Sequence, residues 1–210
     1  MTISGLKMRA DSLVILDFET TGLSPDQGDR AIEIGAVKLA QGEVVDEFQA
    51  LMNPGFKVTS FIEDYTGISN AMLAQADSCR DVMTNFADFI GDANLIAHNA
   101  SFDKRFLDSE FRRLGHEYQG EFACSLLLSR RIFLDAPSHS LGNLINFMNL
   151  SGTGDFHRAL YDAQMTAKLW LAMLDNIGER YGVFDLSFEQ ILKLCKTPKK
   201  SIHSCLSNWA

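Results

Sequence analysis

The sequence predicts an α/β fold, a mixed β-sheet flanked by α-helices. Strand-like runs come three in succession, at residues 13–18, 31–39 and 44–52, and only then alternate with helical periodicity. The first run opens with LVIL at 13–16, apolar without alternation, as in a strand buried on both faces.

Each element follows from local pattern. After the first strand, Thr20, Thr21 and Gly22 break into a turn, with Gly22 free to take positive φ. After the three strands, the spacing predicts a helix over 79–90 and a strand over 94–97. A second helix follows, with Ser101 as its N-cap and Phe102, Phe106, Leu107, Phe111 and Leu114 at helical spacing. A short strand over 122–126 precedes three helices. A long one over 158–175, striped by Leu160, Ala163, Ala167, Leu171 and Leu174, follows a glycine-bearing loop at 150–156. Near the end, Ser187 and Gln190 form a capping box for a helix through Leu194, and Pro198 stops it. Lys196, Lys199 and Lys200 cluster there, with Trp209 beyond. A terminal helix packed on the core, with a frayed tail, stands beside a docking or substrate-gripping tail as readings of this segment.

Composition fits one domain: 210 residues, 46% hydrophobic and 22% charged. No long apolar run opens the chain, so neither a leader nor a membrane span is expected. Cys79, Cys124, Cys195 and Cys205 are scattered without a CxxC, which favours free thiols and a cytoplasmic protein over a disulfide scaffold. The net charge of −8 gives little long-range attraction for a polyanion. Any grip on one must come from a local site, with Lys104, Arg105, Arg130, Arg131 and Arg158 as candidate cations.

The residues that carry chemistry fall in three separate segments. In DFETTGL, Asp17 and Glu19 share one strand face and Phe18 takes the other. Two carboxylates side by side at the end of a buried strand repel each other and resist desolvation. A divalent cation would neutralise both, and oxygen-only ligands suit magnesium or manganese rather than zinc. The plain alternative is an exposed acidic pair capping its neighbours. In HNASFDKRFL, Asp103 lies in the first helical turn, where simple dipole complementation would also put an Asp. His98 and Asn99 just before it could equally tie a loop together. In HRALYDA, His157 precedes the long helix and Asp162 lies in its first turns, so both can face one point. A neutral imidazole can take a proton from water near neutral pH.

DFETTGL, HNASFDKRFLDSEFRRLG at 98–115 and HRALYDAQMTAKLWLAML at 157–174 together resemble the DEDDh family of 3′–5′ exonucleases. Within it they are most similar to the proofreading epsilon subunit of bacterial DNA polymerase III. FIEDYTGISNAML at 61–73 and SHSLGNLINFMNL at 138–150 also resemble family segments. Four residues between His157 and Asp162 mark the histidine branch; the tyrosine branch would need a tyrosine in place of Arg158. The resemblance implies a ribonuclease H-like fold, with 1–176 as the exonuclease domain and 177–210 as a helical extension.

It also implies a division of labour. Two divalent cations, Mg2+ or Mn2+, would serve as cofactors. Asp17, Glu19 and Asp162 would hold the first, Asp17 would bridge to the second, and Asp103 would hold the second site. His157 would be the general base. Phe18, Thr20, Thr21, Leu23, His98, Asn99 and Phe102 would meet the terminal nucleotide. The substrate would be single-stranded DNA or a frayed 3′ end, with RNA trimming as the alternative and an inactive nucleic-acid-binding module as a further one. A DNA polymerase subunit or a second copy of the chain would be partners, and no membrane. The epsilon subunit continues through a flexible linker into a polymerase-docking segment. No such linker precedes residues 185–210 here, which sets this chain apart from that mode of docking.

Overall fold

Leu13–Thr20 forms β1, the middle strand of five in the order β3-β2-β1-β4-β5. The structure, a computed structural model, describes residues 9–152 and 157–210. β2 (Ala31–Ala40) pairs antiparallel with β1, and β3 (Glu43–Leu51) antiparallel with β2. β4 (Leu95–Ala97) and β5 (Phe122–Cys124) continue the sheet in parallel. Parallel neighbours need crossover connections. α3 (Cys79–Ile90) precedes β4, and α4 (Ser101–Leu114) carries the chain from β4 to β5. The mixed sheet flanked by helices is the architecture the sequence predicts.

Both faces of β1 are covered, which is why its first half is apolar throughout. Leu13 and Ile15 face a core built with Val37 and Leu39 of β2 and Trp170, Met173 and Ile177 of α7 (Ala159–Tyr181). Val14, Leu16 and Phe18 face the opposite core, with Val82 and Phe86 of α3 and Phe106 of α4. By that alternation Asp17 and Glu19 lie on the α7 face.

Several elements differ from the sequence expectation. Ser101 does not cap α4; Ala100 holds the cap position without a side-chain bond, and Ser101 is the first helical residue. The strand at 122 ends at Cys124, and Ser125 opens α5 (Ser125–Ile132). α7 runs on to Tyr181, closed by Gly182 at φ 74°. Short helices α1 (Ser60–Thr66) and α2 (Asn70–Gln75) fill the segment after β3, and α6 (Leu141–Phe147) follows α5. Residues 153–156 of the expected glycine-bearing loop lie outside the described residues.

The expected capping box is present. Ser187 Oγ accepts from Gln190 N at 3.2 Å, and Gln190 Oε1 accepts from Ser187 N at 2.8 Å, opening α8 (Phe188–Lys196). A 3-10 turn at Lys199–Ser201 leads into α9 (Ile202–Ser207), whose Ile202 and Leu206 are buried in the α7-side core. Among the described residues no helix is long and apolar enough to cross a membrane.

Candidate active site

The C-terminal half of β1 brings the first two carboxylates to the α7 face, and β2 explains how α7 reaches them. Asp17 is the register partner of Gly35, and Glu19 of Glu33. A Cβ on Gly35 would lie 2.0 Å from the Leu160 backbone nitrogen, so only glycine lets the start of α7 settle on the sheet here. Glu33, wholly buried, then clamps the helix start. Its carboxylate accepts from Arg158 Nε at 3.1 Å and Nη2 at 2.8 Å, from the Ala159 backbone N–H at 3.1 Å, and from Gln49 Nε2 at 2.9 Å. A buried carboxylate is tolerated because it is paired and fully hydrogen-bonded.

This packing gathers Asp17, Glu19 and Asp162, whose carboxylate oxygens lie within 4.8 Å of one another. Asp103, in the first turn of α4, is 2% exposed and accepts a hydrogen bond from the Phe18 backbone N–H at 3.2 Å. Among the described residues, Asp103 joins neither the three-carboxylate group nor the residues that line the cleft.

The electrostatics are those of a site built for added positive charge. Burial, then the charges of Asp103, Asp162, Glu19 and Glu33, hold Asp17 well above the usual carboxylate range. Burial, then Asp162, Glu33 and Asp103, push Glu19 up to about 8. Burial raises Asp103 to about 7 against the bond from Phe18, and burial also raises Asp162. Crowded carboxylates held above their ordinary range give up their protons when a cation binds. An all-oxygen donor set fits a hard divalent ion such as Mg2+ or Mn2+.

His157 stands at the rim. Its backbone is left-handed, φ 69°, and its N–H donates to Asp162 Oδ2 at 2.9 Å. The ring is exposed and rests on Tyr65, with ring centroids 4.3 Å apart. Tyr65 stacks in turn on Phe61, one turn earlier in α1, at 5.9 Å and 12°.

A cleft of about 600 Å3 opens at this point. Asp17, Glu19, His157 and Asp162 line it, and so do Phe18, Thr20, Leu23, His98 and Phe102. Thr21 and Asn99 are not brought to it. Thr21 closes the turn instead, its Oγ1 donating to Asp29 Oδ1 at 3.2 Å and accepting from Arg30 N at 3.0 Å. Asn99 is exposed, at φ 73°, in the turn leading to α4.

His98 is a strut. Its Nε2 meets the His139 carbonyl at 2.9 Å, and a carbonyl can only accept, so that nitrogen carries the proton. Burial lowers the ring below the ordinary histidine range, against the opposing effect of the bond to His139. The neutral ring then accepts at Nδ1 from the Ser125 hydroxyl at 2.9 Å.

Sequence reasoning missed Glu33, Gly35, Phe61, Tyr65 and Leu141, all at or directly behind this cleft. Glu33 and Gly35 did leave a signal, a charge and a glycine inside the apolar run AIEIGAV. It missed the Arg30–Glu110 pair as well, where Nε–Oε1 at 2.6 Å and Nη2–Oε2 at 2.8 Å anchor the turn after β1 to α4.

The exonuclease family profile matches residues 14–170. DNA polymerase III PolC-type from Caldanaerobacter subterraneus subsp. tengcongensis is 37% identical over 166 residues, 79% of this chain. The PolC-type protein of Staphylococcus aureus is 38% identical over 167 residues, also 79% of this chain. The chain spans only 12% of the length of each. Among solved structures, exonuclease X in complex with 5′ overhanging duplex DNA superposes with TM-score 0.70 at 29% identity, over 87% of this chain and 99% of that one. The nuclease domain of 3′hExo, a DEDDh family member, superposes with TM-score 0.66 at 21% identity over 84% and 96%, a likeness of ribonuclease H-like fold. The chain belongs to the exonuclease family.

Proposed function

We propose that the chain shortens DNA from its 3′ end by two-metal hydrolysis, releasing nucleoside 5′-monophosphates. The observation that carries this reading is the convergence of Asp17, Glu19 and Asp162, from two elements far apart in sequence, on one point of a cleft. In this reading those three carboxylates would hold the first cation, and Asp17 and Asp103 would help to hold the second. Such a pair, when bound, would supply charge stabilisation for the attacking and leaving oxygens and a more acidic attacking water. His157 takes the proton of that water at its ring nitrogen, positioned by its backbone bond to Asp162 and by Tyr65 beneath it. Thr20, Leu23 and Phe102 line the space for the terminal nucleotide.

DNA is favoured because exonuclease X, 29% identical, is seen in complex with duplex DNA, and because the PolC-type relatives are DNA polymerases by name. Proofreading or repair beside a replicative polymerase, in the cytoplasm, is the setting that those relatives suggest. Four free cysteines suit a reducing compartment.

The test is digestion of matched 5′-labelled single-stranded DNA and RNA with magnesium, manganese or EDTA, alongside Asp162→Ala. The expected result is a metal-dependent ladder shortening from the 3′ end of DNA, absent in the variant. Faster loss of RNA would overturn the DNA assignment, and no cleavage under any metal would overturn the reading itself.

A further inference from the structure

The cations of this acidic chain are unevenly placed. From Ser125 to Leu134 there are two arginines, and from Gln190 to Ala210 four lysines, without one Asp or Glu in either stretch. Folding joins the two stretches. α8 packs against α5 and β5, with Cys195 Sγ 3.6 Å from the Cys124 carbonyl. Arg131 Nε donates to the Thr197 carbonyl at 2.8 Å, tying the end of α5 to the end of α8. Lys193 lies over the Trp209 ring at 5.4 Å. Arg130, Lys196, Lys199 and Lys200 remain exposed and, among the described residues, take part in no ion pair.

Some of these charges have an ordinary reason to be there. Lys193 and Lys196 lie in the last turn of α8, where a cation complements the helix dipole. Arg130 has the same reason in the last turn of α5, whereas Lys199 and Lys200 lie beyond α8, so the dipole accounts for only part of the patch. Its position relative to the cleft is set by contacts already described. Ser125, the first residue of α5, bonds His98 in the cleft wall. At 1.5 Å per residue, α5 carries Arg130 and the junction at Arg131 about 8–9 Å from Ser125, a distance a strand seated in the cleft covers within a few nucleotides.

We infer that Arg130, Lys196, Lys199 and Lys200 form a phosphate-binding surface that holds the strand several nucleotides back from the reacting 3′ end. This rests on the proposed exonuclease reading. The ligand is the backbone of a polynucleotide, contacted without regard to base sequence. Such a surface gives a chain of net charge −8 a local grip on a polyanion.

The experiment compares wild type with the triple variant Lys196→Ala, Lys199→Ala, Lys200→Ala on two substrates. One is a labelled single-stranded 20-mer; the other is a chromogenic p-nitrophenyl ester of thymidine 5′-monophosphate, too short to leave the cleft. Binding of the 20-mer is also followed by fluorescence anisotropy in EDTA over a series of salt concentrations. The expected variant has a KM for the 20-mer raised about tenfold, unchanged kcat, and unchanged turnover of the ester. Its log–log salt slope is flatter by about two, from three lost phosphate contacts at ~0.7 each. Equal KM and equal salt slope in the two proteins would overturn the surface and leave it to an acidic protein partner. Wild type that binds the 20-mer with the expected salt slope but cleaves neither substrate would overturn the exonuclease reading alone, because the anisotropy comparison still decides the surface.

Discussion

Gly35 and Leu160 meet backbone to backbone, at the point where β2 passes under the first turn of α7. A Cβ at position 35 would fall 2.0 Å from the Leu160 nitrogen and 2.2 Å from the Ala159 carbonyl carbon. Because Gly35 is the register partner of Asp17, the same contact sets how closely Asp162 approaches the β1 carboxylates.

Gly35→Ala is therefore expected to push α7 outward. Overpacking of this kind costs about 1–3 kcal/mol, and a displacement of about 1 Å at a reacting site costs on the order of 100-fold in rate. Thermal melting and nuclease rate measured together would show both losses. Wild-type rate in the variant would mean that the approach of α7 does not govern the site.

Glu33→Gln tests the clamp. The amide oxygen can still accept from Ala159, and its NH2 can meet Gln49 only if Gln49 turns its own amide over, but Arg158 loses its partner charge, and a half-broken pair costs about 1–3 kcal/mol. The expected variant is less stable, with kcat lowered more than KM. A second variant, Glu33→Gln with Arg158→Gln, removes the unpaired charge. Recovery of its melting temperature without recovery of kcat would assign Glu33 to positioning His157 and Asp162. Recovery of both would reduce it to a stabilising residue.

Metal and pH should be linked through the raised carboxylates. Glu19 titrates near 8 when folded against 4.5 in its ordinary state, and Asp103 near 7 against 3.8. Between those values the metal-free folded chain holds protons that the unfolded chain releases, so its stability falls as pH rises from about 4.5 to 8. In EDTA the melting temperature is expected to drop across that window, and Mg2+ should restore it at the upper end. Asp17→Asn should flatten the decline by removing one of the repelling charges. A melting temperature in EDTA that stays level across the window would contradict the crowding described above.

Tyr65→Ala removes the ring beneath His157. Tyr65 is half exposed, so the melting temperature should hardly change. The loss should appear in kcat, severalfold but smaller than the 100-fold or more expected of His157→Ala. NMR of the His157 ring protons offers a readout separate from activity, since a ring 4.3 Å away shifts them. Unchanged resonances in the variant would show that the stack does not hold in solution.

The sequence by itself determined the strand and helix types, the capping box at Ser187, and the five residues Asp17, Glu19, Asp103, His157 and Asp162 as candidates. Those properties are local: side-chain alternation, helical spacing, and residue types that a core rejects. Only the tertiary structure showed how Glu33, Gly35, Phe61 and Tyr65 belong to the same cleft, because their roles depend on what crosses them from elsewhere in the chain. Glu33 reads as a misplaced charge in a strand until Arg158 and Ala159 arrive 125 and 126 residues later. Thr21 and Asn99 fell the other way. Their neighbours in sequence line the cleft, but the turn geometry spends Thr21 on Asp29 and Arg30 and leaves Asn99 facing out. The tail was decided by packing too, since Ile202 and Leu206 are apolar on any reading and only the core formed by α7 shows where they go.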